Sequence, residues 1–137
     1  MMPRIYRGRR GAAAANGRRP IVSVDGEPLE RYSAVAFAWG YPSPGTASLA
    51  QALLLSHLGK LPARSVLHRF AFLTVGTWMD DQWTITSDQI AAALLTVRMD
   101  LRITCILCAD TGRREVRPRL WTACDCRPQP EPPAPAA

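Results

Sequence analysis

The sequence is poor in several residues that chemistry usually needs. Lys60 is its only lysine, so sixteen of the 17 basic residues are arginine, and His57 and His68 are its only histidines. These histidines sit in no HExxH pattern and beside no recognised nucleophile motif, so no acid–base or nucleophile constellation forms and an enzyme is not expected. No apolar run reaches the roughly 18 residues that span a bilayer, which excludes a transmembrane helix. The basic start, Met1-Met2-Pro3-Arg4, leads into no apolar stretch, so no secretory signal is expected and the predicted compartment is the cytoplasm. There is no internal repeat and no GxxxxGK[ST] loop.

What is present is uneven charge on a chain able to fold. The 137 residues carry +6 overall and are 47% hydrophobic, enough for the core of one small domain. Residues 1–20 hold Arg4, Arg7, Arg9, Arg10, Arg18 and Arg19 and no acid, whereas residues 21–97 are net acidic. Positive charge returns over 98–127, where Arg113, Arg114, Arg117 and Arg119 cluster. Such clusters neutralise phosphates or dock on acidic protein surfaces; a merely solvated arginine-rich face is the plain alternative.

The pattern predicts an α+β fold: a small antiparallel sheet packed on two to three helices, followed by a C-terminal cysteine hairpin resembling a zinc ribbon. A strand around Ile5 and Tyr6 pairs with Ile21–Val24, which ends in the turn Asp25-Gly26. Residues 10–20 form a flexible basic loop. Residues 29–38 are ambiguous, and the prolines and glycines of 39–45 make a loop. Ala47, Leu49, Ala50, Leu53, Leu54 and Leu58 have helical spacing, with Thr46 or Ser48 as N-cap and Gly59 as stop. Pro62 opens a second helix through Val66, Leu67, Phe70 and Leu73. Trp83-Thr84-Ile85 is a short strand, and Thr86 with Gln89 forms a capping box that starts a third helix. Two further strands, 101–107 and 115–122, flank a polar turn. From 128 the chain is proline-rich and expected to be disordered. The organisation is therefore a domain over 1–97, a cysteine hairpin over 98–127, and a tail.

Cys105, Cys108, Cys124 and Cys126 carry the most chemistry. A CxxC followed by a CxC can supply four thiolates to one structural zinc. Inert thiols on a strand and a redox pair remain alternatives, although no thioredoxin-like surroundings accompany the CxxC. A catalytic zinc is not expected, since no histidine lies in the segment. The other features have bland readings: histidines in core or surface positions, Asp80-Asp81 as a solvated loop, four tryptophans as packing, and the start of the first long helix as a capped turn, not an anion site.

Tyr6-Arg7-Gly8, Val24-Asp25-Gly26, Phe37-Ala38-Trp39-Gly40-Tyr41, Gly45, Leu49-Ala50, Phe70, Trp83-Thr84-Ile85 and Ile90 together resemble a family of small bacterial, archaeal and phage or plasmid proteins. That family is catalogued as a domain of unknown function, number 6166, and the resemblance covers about residues 6–95. Pro42-Ser43-Pro44-Gly45-Thr46 replaces its usual Gly-Gly-Ser-Gly-Pro loop. The resemblance implies a mobile-element context and brings no activity with it. The resulting expectation is a non-enzymatic binding protein that contacts nucleic acid or a nucleic-acid-handling complex through its arginines. The alternative is an inhibitor or adaptor acting on a host defence complex without touching nucleic acid.

Overall fold

A computed structural model describes residues 3–10, 20–117 and 119–126. The flexible loop expected at 10–20, with Arg18 and Arg19, and the proline-rich tail lie almost wholly outside the described residues.

Strand β1 (Ile5–Arg9) alternates: Tyr6 and Gly8 point inward, while Ile5, Arg7 and Arg9 face solvent. It pairs antiparallel with β2 (Ile21–Val24), Tyr6 opposite Val24, as the sequence led us to expect. On its other side it pairs antiparallel with β4 (Gln82–Thr86), Tyr6 opposite Ile85. With the two-residue β3 (Glu27–Pro28) the sheet order is β3-β2-β1-β4, so the first strand of the chain is an inner strand.

Three helices cover the inward face. Helix α1 (Pro44–Leu58) is capped by Ser43, whose Oγ accepts from the Thr46 N–H at 3.1 Å. The helix therefore starts about one turn earlier than the sequence placed it, with Thr46 and Ser48 inside, because Pro44 is already suited to a first helical position. Gly59 closes the helix in the left-handed region at φ 72°, its N–H donating to Leu55 O. Helix α2 (Arg64–Leu73) buries Val66, Leu67, Phe70 and Ala71, and a 3-10 turn follows at Val75–Thr77. Helix α3 (Ser87–Leu101) starts at the expected capping box, with both reciprocal Thr86–Gln89 bonds formed, and buries Ile90, Leu94 and Val97 along one face. It runs past 97, the end assigned to the first region, to Leu101.

Tyr6, Trp39, Leu49, Leu53, Leu54, Val66, Phe70, Ile90 and Val97 are fully buried in one core. Trp39 explains the Trp-Gly-Tyr loop. Its Nε1–H donates to Asp80 O at 2.9 Å, and its ring meets Trp83 edge-on with centroids 5.8 Å apart. Gly40 then takes φ 86°, and a Cβ there would lie 2.6 Å from Trp78 O, so the next position admits no side chain. The tryptophan reading as packing holds for Trp39 and Trp83.

One element differs from expectation. Residues 101–107 are not a strand: Leu101 ends α3, and residues 103–112 form consecutive turns. The hairpin is instead β5 (Arg113–Arg117) against β6 (Leu120–Ala123), with Glu115 opposite Trp121. Apolar Ile103 and Ile106 mimic a strand in sequence because they pack as single anchors on the core.

Candidate metal centre

The cysteine segment is fixed to the body on both sides of its CxxC. Arg102 ends α3 in the left-handed region, and the Ile103 N–H closes back to Arg98 O at 3.0 Å. The Ala63 N–H, at the N-cap of α2, donates to Ile106 O at 2.9 Å. Glu115 on β5 accepts from Arg64 on α2 at 3.1 Å. These ties join the knuckle to α2 on both sides.

Within the knuckle, Asp110 acts as an internal cap. Its carboxylate accepts from the N–H of Thr104 at 2.9 Å and of Cys105 at 2.9 Å. The Ala109 N–H donates to Cys105 O at 2.9 Å, and Ala109 and Asp110 are successive left-handed residues. Thr111 Oγ1 donates to Cys108 O at 2.7 Å, and the Cys124 N–H donates to Gly112 O at 2.9 Å. The second bond sets the CxC beside the CxxC.

The result is four sulfurs around one point. Cys105 Sγ and Cys124 Sγ are 3.8 Å apart, Cys108 Sγ and Cys126 Sγ 3.5 Å, and all four lie within 4.8 Å of one another. Metal–sulfur bonds of about 2.3 Å in a tetrahedron put sulfurs ~3.8 Å apart, so the cluster has the size of a four-thiolate site. Among the described residues it is the one group of three or more His, Cys, Asp or Glu side chains close enough to hold a metal ion. Cys108 is buried, Cys105 and Cys124 are half-buried, and Cys126 is exposed.

The thiols perturb one another strongly. Burial pushes the Cys108 thiol up, but bonding from the Gly112 N–H and the three neighbouring sulfurs outweighs this and brings its pKa down to about 7. Cys126 is pushed up, chiefly because it serves as the hydrogen-bond donor to Cys105 and Cys124. Cys105 is raised mainly by burial. Four such groups cannot all ionise side by side, whereas a divalent cation at their centre deprotonates all of them.

The arginines divide into two kinds. Arg4 and Arg10, read from sequence as contact residues, are engaged within the protein. Arg4 Nη1 donates to Ser56 O at 3.1 Å. Arg10 Nη2 donates to Trp39 O at 2.7 Å, its guanidinium lies 4.8 Å from the Trp39 ring centroid, and Nη1 pairs with Asp81. Both bind their own backbone because β1 carries them across the ends of the core. Arg7 and Arg9 stand on the open face of the sheet. Arg113 and Arg117 are exposed on β5 and Arg119 at the hairpin turn, while Arg114 is half-buried. The two basic regions lie on separate sheets.

A feature the sequence reading missed is a groove of about 1050 Å³ between the start of α1 and the length of α2. Leu67, Phe72, Leu73 and Met79 line it together with Pro44 and Tyr32. Phe72 is 64% and Met79 77% exposed. The signal was available: Phe70-Ala71-Phe72-Leu73 is apolar on more of the helix than one buried face requires. His68 lines this groove, and His57 is half-buried on α1; neither belongs to the cysteine cluster.

Residues 6–96 match a family of unknown function, DUF6166. The chain belongs to that family. The match ends inside α3, so the family region comprises the sheet and helices, and all four cysteines fall beyond it. No curated protein and no solved structure matches the chain. Among the described residues, no helix is long and apolar enough to cross a membrane.

Proposed function

We propose that this protein is a small binding protein, without catalytic chemistry of its own, in which Cys105, Cys108, Cys124 and Cys126 hold one structural zinc and the exposed arginines contact nucleic acid. The convergence of four sulfurs at tetrahedral spacing supports the metal; zinc suits a closed all-sulfur shell with no redox partner. The observation that carries the binding surface is the β5–β6 ribbon. It presents Arg113, Arg117 and Arg119, and its one acid, Glu115, is already tied to Arg64. Arg7 and Arg9 add a second positive face on the main sheet.

Two measurements test this. Elemental analysis of the purified protein should find one zinc per chain, lost in Cys105→Ser; no zinc at equimolar level removes the site. Binding to random-sequence DNA or RNA should weaken steeply with salt, since neutralised phosphates release counterions. A flat salt response, or no binding, overturns the nucleic-acid reading.

The groove favours a second reading, a protein adaptor or inhibitor. An apolar channel flanked by exposed Phe72 and Met79 suits an apolar segment of a partner protein, and one stoichiometric host complex recovered on the protein would support it.

A further inference from the structure

From the exposed face of the cysteine ribbon we infer that the nucleic acid it takes is unpaired, with Trp121 stacking on a base; this rests on the nucleic-acid reading above. Trp39 and Trp83 are buried, and Trp78 stacks on Trp83 at 4.4 Å, whereas Trp121 is 48% exposed. It has no aromatic or cation–π partner among the described residues. All four residues of β6 are exposed, so the indole is held on a strand that covers nothing else. An indole left in water forgoes much of the free energy its burial would give, which marks the position as one that a ligand completes.

The surroundings select the ligand. Trp121 stands directly opposite Glu115, on the face that also carries Arg113 opposite Ala123. Glu115 pairs with Arg64 through Oε1 and its side chain is only 12% exposed, so its charge is partly offset before an anion arrives. Arg117, opposite Leu120, lies on the other face at the near end of the hairpin, with Arg119 at the turn. The ribbon therefore presents one flat apolar ring beside Arg113, with Arg117 and Arg119 at the turn, and the one acid on its strands is tied to Arg64. An acidic protein surface satisfies the cations and leaves the ring unmatched. A duplex supplies phosphates, but its base faces are covered by neighbouring bases. An unpaired strand supplies both, phosphates for the arginines and an open base face for the indole.

The ribbon is also stiff enough to hold such a platform. The Cys124 N–H bonds Gly112 O at the open end of the hairpin, and the sulfur cluster lies immediately beyond it. The ring is thus presented before any strand arrives, which limits the ordering cost of binding.

The test uses the full-length, metal-replete protein, a short single-stranded oligothymidylate, and a mixed-sequence duplex of equal length. The single strand should bind at least about tenfold more tightly and quench tryptophan emission, the duplex producing little quenching. Trp121→Ala should lose about 5- to 100-fold in single-strand affinity and abolish the quenching, while Trp121→Phe keeps most of the affinity. Equal affinity for duplex and single strand, with Trp121→Ala binding as the parent does, overturns the stacking inference while leaving the nucleic-acid reading intact. No binding of either probe by the parent overturns both. If Trp121→Ala does not fold, the parent's quenching and the Trp121→Phe affinity decide the matter.

Discussion

At the scale of single residues, two close fits and one half-buried base stand out. Gly8 lies under the Trp83 indole: a Cβ there would sit 2.2 Å from the ring, and the clash meets a large rigid side chain. Gly8→Ala should therefore destabilise by about 1–3 kcal/mol, read as a lowered midpoint in denaturant unfolding. An unchanged midpoint would mean that the indole can move aside. Arg10 is the second fit, since its guanidinium lies over the Trp39 ring and donates to Trp39 O, so its loss should lower stability. His57 is the half-buried base. Burial, and then the nearby Arg4 charge, hold its pKa below the usual 6.5, with Asp88 opposing weakly. The unfolded chain thus binds a proton more readily than the folded one, so stability rises with pH through this window. The contribution is complete above about pH 6.5 and is lost as pH falls toward the folded pKa. His57→Gln should flatten this part of the stability–pH curve, measured by thermal melts between mildly acidic and neutral pH.

Elements differ in how much of their physics is local. Helix α3 is the most self-sufficient, because Thr86 and Gln89 satisfy each other's backbone donors. Thr86→Ala should lower stability by about 1 kcal/mol, checked by urea unfolding. The same locality made α3, the three-residue core of β4, and the Tyr6 hairpin legible in sequence: capping residues, alternation and a turn dipeptide are short-range signals. The cysteine segment was legible in composition and misread in path. Its four clustered cysteines stood out by their spacing, yet 101–107 was taken as a strand because the stretch is largely apolar. What bends that stretch is Asp110, which reaches back to two backbone N–H groups, together with left-handed Ala109; sequence spacing does not reveal such a contact. The groove was not legible at all, because it depends on how α1 and α2 diverge. The ribbon, with few buried side chains of its own, leans on its sulfurs. Stripping the metal with a chelator should loosen β5–β6 while the sheet and α1–α3 persist. Amide hydrogen exchange would show fast exchange over 103–126 with protection retained at Leu53 and Val97; uniform loss would contradict a locally acting metal.

For the molecule as a whole, the +6 charge has less free capacity than its sum suggests. Arg4 and Arg10 are committed internally, and a zinc tetrathiolate would carry a formal charge of −2 and offset part of the ribbon's excess. Removing the first twenty residues, the obvious way to test a basic arm, would instead remove β1 and with it buried Tyr6. Charge is better tested on the open faces. Arg7→Ser with Arg9→Ser should leave the melting temperature within a degree or two, since both side chains are exposed, and should reduce the slope of log affinity against log salt by up to ~2. An unaltered slope would place all nucleic-acid contact on the ribbon.

The position of β1 also constrains how the protein can be made. It is the first strand synthesised, yet one of its two neighbours, β4, follows only after α1 and α2. Until Gln82–Thr86 emerges, the nascent chain holds a strand with an open hydrogen-bonding edge and an uncovered Tyr6. Folding is therefore gated by a contact spanning more than half the chain, which favours slow closure over rapid local assembly. Chains interrupted before that point, by nonsense mutation or stalled translation, are the ones expected to aggregate, whereas interruption after α3 spares the sheet and removes the ribbon.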